Sequence, residues 1–357
     1  MNTLKSYMRL EQLEKILKKS GKLPYLVSNL TNIYYLTGFE GSYGHLLISK
    51  DRIVFITDSR YTEYTKSILP EHIEIREQKN DFPGLLRDFI KGRLFVEQLI
   101  PLAGFLNYKK QLKNIKILPA NDEVGSLRIV KDEHELENLK KAVAIADSCF
   151  DHLLKIIKPG MTEWDIAVEV EYFYRKNGCR KSSFDTIIAS GKGSSMPHYI
   201  PSMTKKIETK DILLIDMGCV FNGYNSDLSR TIFFGNISAE FKKIYGIVRK
   251  AQEEAISQVK PGIMTGRLDK IARDIIAKEG YGPAFGHSLG HGVGLEIHES
   301  PALKKGDKYR LKKNIPFTVE PGIYLPDKGG VRIEDVVIAC ENGCEILTKA
   351  SKEIIIL

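Results

Sequence analysis

The sequence contains an internal repeat, and this repeat restricts the fold more than any other feature of the chain. Residues 158–178 read KPGMTEWDIAVEVEYFYRKNG and residues 260–280 read KPGIMTGRLDKIARDIIAKEG, an offset of 102 residues. A long helical stretch precedes each copy, and a strand-like region that contains histidine follows each copy. Two unrelated Pro-Gly-bounded helices are the alternative, but the matched flanks favour a duplication into similar halves about a pseudo-twofold axis. A site between such halves would draw residues from both.

The length and composition predict two soluble globular domains. The chain has 357 residues, of which 43% are hydrophobic and 27% are charged, and domains usually span about 100–200 residues. Short strand and helix patterns alternate up to about residue 120, which indicates a smaller α/β domain. Asp132, with Glu135 three residues later, is a plausible N-cap for a long helix through Ile157. We therefore expect domains at 1–122 and 123–357.

Charge and cysteine content argue against several classes of protein. The net charge is +8, but the lysines are scattered singly or in pairs, which favours solvated helix faces over a nucleic-acid surface. The five cysteines are an odd number without a C-x-x-C pair, so we expect reduced thiols and a cytoplasmic location. No apolar run approaches the roughly 18–20 residues of a membrane helix, and the N-terminal segment lacks the pattern of a signal peptide.

Two aspartates lie on a predicted β-hairpin in the segment DILLIDMGCVFNGYNSDLSRTIFF. The Asn-Gly pair at 222–223 is a strong hairpin signal, and a turn there aligns Asp216 with Ser229 and Gly218 with Asp227. Asp216 and Asp227 are then diagonal neighbours on one face, with Cα atoms roughly 7–8 Å apart, and Gly218 leaves space between them. The alternative is that one of the two acids is simply solvated at the edge of the sheet. A cation between the carboxylates would offset their repulsion and burial, and we favour that interpretation.

A second pair of acids follows in FTVEPGIYLPDKGGVRIEDVVIA. Glu320 ends a strand that Pro321 stops, and Glu334 is expected within the alternating strand VRIEDVVIA. Taken alone, either glutamate reads as an ordinary polar strand residue.

Three of the eight histidines, His287, His291 and His298, lie in the segment AFGHSLGHGVGLEIHESP. Four glycines in this segment argue against a helix, so the spacing of His287 and His291 is not the helical H-E-x-x-H zinc signature. His291 and His298 differ in strand parity, so a bend is needed before both can face one cavity. Singly, each histidine is more typical of a hydrogen-bonded core residue than of a ligand. Together with four carboxylates on predicted strands, they favour a metal site.

These acids and one histidine together resemble the five-ligand dinuclear metal site of the pita-bread metallopeptidases, which include methionine aminopeptidase, aminopeptidase P and prolidase. The matching residues are Asp216 in IDMG, Asp227 in SDLSRT, His291 in GHGVG, Glu320 in VEPG and Glu334 in RIED. The N-terminal motifs YLTGFEGSYG and DSRYTEY resemble the creatinase-type N-terminal domain. The resemblance implies an α+β fold, with a pita-bread catalytic domain of pseudo-twofold duplicated halves after a smaller α/β creatinase-type domain.

The resemblance also implies roles for the ligands. Asp216 would chelate one metal ion, His291 and Glu320 would hold the second, and Asp227 and Glu334 would bridge both. Such ligands suit two divalent ions, with manganese expected and cobalt, zinc or iron as alternatives. A metal-activated hydroxide would attack a peptide carbonyl, with Glu320 as the proton shuttle.

The remaining matches concern the substrate. His198 in PHY and His298 in IHESP match the two non-ligand histidines that hold the substrate and its tetrahedral intermediate. His287, four residues before His291, and Arg332 in VRIEDVV indicate the proline-specific branch. We therefore expect cleavage of Xaa-Pro bonds in dipeptides or at peptide N-termini, and the motifs leave these two substrate types open. Tyr224, His287 and Arg332 are the candidate substrate contacts, and family habit implies a homodimer.

Two other functions compete with this interpretation. A methionine aminopeptidase would share the metal ligands but would release methionine from Met-Ala-Ser and leave Met-Pro intact. A non-enzymatic binding module on the same fold would be marked by missing metal ligands, and all five are present here.

Overall fold

The computed structural model describes residues 3–79 and 81–357, and the chain divides into a unit that ends at Arg128 and a unit from Ile129 to Leu357. Mixed helices and sheets make up both units, which confirms the predicted α+β class. Within the described residues, every helix is too short or too polar to cross a membrane.

The N-terminal unit is a six-stranded mixed sheet flanked by helices. The strand order is β4-β3-β2-β1-β5-β6, with β2 antiparallel to both of its neighbours and the other pairs parallel. The central strands β1 and β3 are buried at every position, as expected when both faces of a sheet are covered. The elements are α1 Thr3–Ser20, β1 Tyr25–Val27, α2 Leu30–Thr37, β2 His45–Ile48, β3 Ile53–Thr57, α3 Thr62–Ile68, β4 Ile73–Glu77, α4 Phe82–Arg87, β5 Gly92–Val96, α5 Leu102–Gln111, β6 Ile115–Pro119 and α6 Glu123–Arg128.

The C-terminal unit combines two helix pairs with several antiparallel sheets, of which β12-β9-β8 and β14-β13-β15-β18-β19 carry most of the site. Its helices are α7 Glu133–Ile156, α8 Glu163–Lys176, α9 Ala239–Ser257 and α10 Thr265–Lys278. Its strands are β7 Lys181–Ser182, β8 Ile187–Ser190, β9 Ile212–Met217, β10 Cys219–Phe221, β11 Tyr224–Asn225, β12 Leu228–Phe233, β13 Gly290–Gly292, β14 Glu299–Leu303, β15 Pro316–Val319, β16 Gly322–Leu325, β17 Gly329–Arg332, β18 Asp335–Cys340 and β19 Gly343–Ile346.

The helices of the repeat confirm the duplication. Helix α8 (Glu163–Lys176) and helix α10 (Thr265–Lys278) begin and end at the same 102-residue offset that the sequence repeat shows. A glycine with positive φ precedes each helix, Gly160 at 94° and Gly262 at 89°, because each tight turn needs a backbone that other residues rarely adopt. Separate apolar clusters pack beneath α7 and α8 in one half and beneath α9 and α10 in the other.

Local sequence signals correctly predicted the start of α7 and the turn of the hairpin. The Asp132 side chain accepts from the backbone N–H of Glu135, and the Glu135 side chain accepts from that of Asp132, so α7 begins with a capping box. The turn residues at 222–223 have φ values of 46° and 86°, as a type I′ turn requires. Asp216 pairs with Ser229 in the observed register, which confirms the predicted alignment.

Gly218 lies where the two strands of the hairpin approach each other closely. A Cβ at Gly218 would lie 2.0 Å from the carbonyl oxygen of Ser226, so this backbone contact, and not only the space that we predicted, requires glycine here. The residue is glycine because the two strands approach closely where the ladder is interrupted between β9 and β10.

Candidate metal centre

The five predicted ligands converge on one cavity of about 470 Å³ in the C-terminal unit. Asp216 lies near the end of β9 and Asp227 immediately precedes β12, so both come from the first half of the duplication. His291 lies in β13, Glu320 directly follows β15, and Glu334 lies between β17 and β18, so these three come from the second half. The cavity therefore draws its polar groups from both halves.

The distances between these groups are short enough for a shared ion. Asp227, His291 and Glu334 each offer a ligand atom, and these atoms lie within 4.8 Å of one another. His291 Nε2 lies 3.5 Å from Asp227 Oδ2 and 3.6 Å from Glu320 Oε1. Asp216 lines the same cavity. The group therefore has the dimensions of a metal centre.

The donor chemistry also fits divalent cations. His291 Nδ1 lies 3.1 Å from the carbonyl oxygen of Gly292, which can only accept, so Nδ1 carries the proton and Nε2 presents a lone pair. That lone pair faces carboxylate oxygens, which also only accept when ionised. Asp216 Oδ1 is buried, and no donor among the described residues reaches it. Arg332 and Ser229 each supply a donor to one oxygen of Asp216 and Glu334, which leaves more acceptors than donors. A cation would satisfy the remaining acceptors, and oxygen ligands with one imidazole suit divalent metal ions.

Burial and neighbouring charges shift the pKa values of these groups when no cation is bound. Burial, followed by the charge of Glu334, raises the pKa of Asp227 and that of Glu320 well above the usual carboxyl range. Burial and the Asp216 charge raise the pKa of Glu334 to about 8. Burial and nearby His298 lower the pKa of His291 to about 4, so its imidazole is neutral near pH 7. Bound metal ions would offset the repulsion among the carboxylates.

Glycine allows the backbone of β13 to carry His291 into the centre. A Cβ at Gly290 would lie 2.0 Å from the carbonyl oxygen of Thr318, and one at Gly292 would lie 2.4 Å from that of Ser300. The strand thus lies against β14 and β15 more closely than a side chain would permit. The register shifts between His291 and Gly292, and the His298 ring returns to 4.3 Å from the His291 ring. This is the bend that strand parity predicted.

The predicted strand around Glu334 was wrong. Glu334 does not lie within one continuous strand, because β17 ends at Arg332 and β18 begins at Asp335. The chain changes sheets there, since β17 pairs with β16 and β18 pairs with β15. The Glu334 N–H instead donates to the Ser229 carbonyl at 3.1 Å. Ser229 Oγ also donates to Glu334 Oε2 at 2.8 Å, which orients the carboxylate.

A hydrogen-bonded chain borders the carboxylates. Arg332 is buried and donates to Asp216 Oδ2, to Ser229 Oγ at 2.9 Å and to the Tyr324 hydroxyl at 2.8 Å. His287 Nδ1 donates to the Ser288 carbonyl at 2.8 Å, so its Nε2 accepts from the Tyr324 hydroxyl at 2.9 Å. Arg332 and His287 line the cavity, but their polar atoms are already engaged with neighbouring groups.

Sequence reasoning missed Tyr324 and Ser229. Ser229 had a usable signal, because it lies two residues after Asp227 on the same strand face. For Tyr324, the bond to Arg332 lies within the β16–β17 hairpin, whereas the bond to His287 joins segments 37 residues apart.

The other predicted residues separate into two groups. His198 and His298 line the cavity, and burial, with His198 nearby, lowers the pKa of His298. Tyr224 is not brought to the cavity. Its ring is buried in an apolar cluster with Leu136, and its hydroxyl donates to Glu135 Oε1 at 2.9 Å.

Known proteins resemble this chain over nearly its whole length. Residues 137–341 match Metallopeptidase family M24, and residues 9–130 match the Creatinase/Prolidase N-terminal domain. An Xaa-Pro dipeptidase of Pyrococcus horikoshii is 39% identical over 97% of this chain and 99% of its own length. An Xaa-Pro dipeptidase structure from Bacillus anthracis matches with a TM-score of 0.94 at 39% identity, covering 99% of this chain and 100% of that one. An X-Pro aminopeptidase structure from Thermotoga maritima matches with a TM-score of 0.87 at 39% identity, covering 97% and 100%.

Proposed function

This chain belongs to metallopeptidase family M24, and we propose that it is a metal-dependent hydrolase of Xaa-Pro peptide bonds in dipeptides or at peptide N-termini. The observation that carries the proposal is the convergence of five acceptor side chains on one cavity. Relatives named for Xaa-Pro cleavage match almost the full chain. Neither alternative, a methionine aminopeptidase or a binding module without metal, has comparable support.

The proposed ligands of two divalent ions are Asp216, Asp227, His291, Glu320 and Glu334, of which Asp227 and Glu334 would serve both ions. When bound, the ions would lower the pKa of a water toward neutrality and polarise the scissile carbonyl. Manganese is the proposed metal, with cobalt, zinc and iron as alternatives, since mixed carboxylate and imidazole ligands suit several divalent ions. The lining residues run from Phe184 to Glu334, all within the segment 123–357 that we propose as the catalytic domain.

The chain's own groups supply the proton transfer and the positioning. Glu320 is proposed to move the proton from the attacking water to the leaving nitrogen, since its carboxylate lines the cavity and lies 3.6 Å from His291 Nε2. His198 and His298 line the cavity outside the ligand group, where they can donate to the carbonyl oxygen as charge develops on it.

Recognition of the substrate is assigned to the side of the cavity near Arg332 and His287. Tyr324 connects these two residues through its hydroxyl, so we propose that it holds both in position. Ile187 and Ile297 add apolar lining, which suits the proline ring. A proline nitrogen carries no N–H, so binding on this side cannot depend on a donor from the substrate nitrogen.

Ala-Pro and Ala-Pro-Ala, compared under several metals, test this function. A chelator should abolish hydrolysis, and manganese or cobalt should restore it. Turnover of Ala-Pro alone would define a dipeptidase, and turnover of both would define an aminopeptidase that accepts longer peptides. A metal-loaded protein that cleaves neither substrate would contradict the proposal, and release of methionine from Met-Ala-Ser without cleavage of Met-Pro would favour a methionine aminopeptidase.

We further propose a homodimer in the cytoplasm. Sedimentation should give about twice the chain mass of 40.4 kDa, and a monomer would contradict the dimer. Three of the five free cysteines are buried, and reduced thiols suit a reducing compartment. Cell fractionation checks the location.

A further inference from the structure

A buried arginine lies directly behind the proposed metal ligands. Arg230 follows Ser229 on β12 and is 1% exposed. Its Nε donates to the Ser351 carbonyl at 3.0 Å, and its Nη2 donates to Asp335 Oδ1 at 2.7 Å and to the Ala350 carbonyl at 2.8 Å. Its Nη1 donates to the Ser229 carbonyl at 2.9 Å and to the Glu334 carbonyl. All five guanidinium N–H groups are therefore used.

Asp335, the carboxylate that pairs with Arg230, has two further partners. Its Oδ2 accepts from Gln252 Nε2 at 2.7 Å and from Lys352 Nζ at 2.9 Å. Gln252 lies on α9 and Lys352 on the segment after β19. The guanidinium and its aspartate thus connect β12, β18, α9 and the residues around Ser351. Because a guanidinium is planar and rigid, it holds these partners in a defined geometry.

Residues of β12 hold the backbone of Glu334 at the break between β17 and β18. Glu334 lies where the chain changes sheets, outside both strands. Its N–H donates to the Ser229 carbonyl, and its carbonyl accepts from Arg230. Arg230 and Ser229 therefore hold both polar groups of this residue's backbone. Ser229 Oγ orients the carboxylate itself, so β12 sets the positions of Asp227 and Glu334 together.

We propose that Arg230 is a positioning residue for the metal centre, which sets the separation of Asp227 and Glu334 through the backbone of Glu334. The inference rests on the proposed metal centre. Groups that orient metal ligands without touching the ion typically change metal affinity by roughly 10- to 100-fold when replaced. Arg230 acts on two ligands that we propose to be shared by both ions, so its effect should reach both binding steps.

The test is calorimetric titration of the metal-free protein with Mn²⁺, with Arg230→Lys as the variant. Lysine keeps the charge but has three donors on a flexible stem and cannot reproduce the fork. We expect the Mn²⁺ affinity to fall by roughly 10- to 100-fold. Arg249→Lys is the matched control, because Arg249 is partly exposed and pairs with Glu253 and Glu353 on the surface. The Mn²⁺ affinity of Arg249→Lys should equal that of the wild type.

A purely structural role would lower the thermal stability of metal-free and metal-loaded protein alike and leave the affinity of the folded chain unchanged. That result would overturn the inference. If Arg230→Lys does not fold, Lys352→Met replaces it. Lys352 is partly exposed and pairs with Asp335, so its loss weakens the contacts that hold the Asp335 carboxylate beside Arg230. An unchanged Mn²⁺ affinity of this variant would then overturn the inference. Wild-type protein that binds no Mn²⁺ would overturn the metal centre as well, which separates the two failures.

Discussion

The side chain of Asp227 lies among three other carboxylates, those of Asp216, Glu320 and Glu334, with little access to water. This arrangement favours metal binding and opposes the folding of the metal-free chain. Ionised groups that are buried together repel one another, and desolvation adds to the cost. Activity and metal-free stability should therefore respond in opposite directions when one of these charges is removed.

Asp227→Asn provides this test. The substitution keeps the shape of the side chain and removes one negative charge, so the metal-free protein should unfold at a higher temperature than the wild type. A gain of about 1 kcal/mol corresponds to roughly 2–4 °C in a domain of this size. Hydrolysis and the Mn²⁺-induced rise in unfolding temperature should both be lost. Calorimetry of metal-free and metal-loaded samples measures both effects, and full activity would refute a shared ligand role.

Glu320→Gln separates proton transfer from metal binding. Glutamine retains an oxygen ligand but cannot carry a proton between water and the leaving nitrogen, so kcat should fall by roughly 10²- to 10⁴-fold. Mn²⁺ affinity should fall much less. Steady-state kinetics with saturating Mn²⁺ gives kcat, and titration of the metal-free variant gives the affinity. Glu341→Gln, which changes a glutamate of the β18–β19 turn, is the control, and retained turnover in Glu320→Gln would place the proton shuttle elsewhere.

Local sequence signals predicted the strands and turns that depend on local geometry. The Asn-Gly turn determined the register that aligns Asp216 with Ser229, since a two-residue turn leaves one pairing. Alternation could not reveal the break at Glu334, because the strands on each side retain similar apolar patterns while they pair with different partners. The Ser226 backbone approaches Gly218 closely within the same hairpin, and pairing arithmetic gives the partners of a strand but not how closely the backbones approach.

The glycines of the histidine segment offer a matched pair of substitutions. Gly290→Ala would bring a Cβ to 2.0 Å from the Thr318 carbonyl, whereas a Cβ at Gly286 meets nothing within 4 Å. The Thr318 backbone belongs to β15, so it cannot yield without moving Glu320 as well as His291. We expect Gly290→Ala to destabilise the fold by about 1–3 kcal/mol and to weaken Mn²⁺ binding, as overpacking does in other cores. Gly286→Ala should preserve both properties, and equal behaviour of the two variants in thermal unfolding and titration would contradict this account.

The proposed ligands come from segments more than one hundred residues apart in the chain, from Asp216 to Glu334. The five-residue pattern and the repeat were enough to predict the family, the fold class and the metal-dependent chemistry. The repeat could not predict the contacts of Arg230 or Tyr324, because Arg230 joins the two halves at positions that the repeat does not align, and Tyr324 bonds to His287 within the second half. The motifs of the sequence thus predicted the ligand set, and only the fold showed which contacts hold its members.

Metal binding should therefore protect one part of the molecule selectively. Opening any of the segments 212–233, 286–298 or 316–338 displaces a proposed ligand, so Mn²⁺ at 100 times its Kd should stabilise these segments by about 2.7 kcal/mol and slow their hydrogen exchange roughly 100-fold. Residues up to Arg128 form a separate unit and contribute no proposed ligand, so their exchange should change little. Hydrogen exchange with mass spectrometry, with and without Mn²⁺, measures both regions. Asp227→Asn should lose the effect, and protection concentrated in the N-terminal unit would show that the ions bind somewhere else.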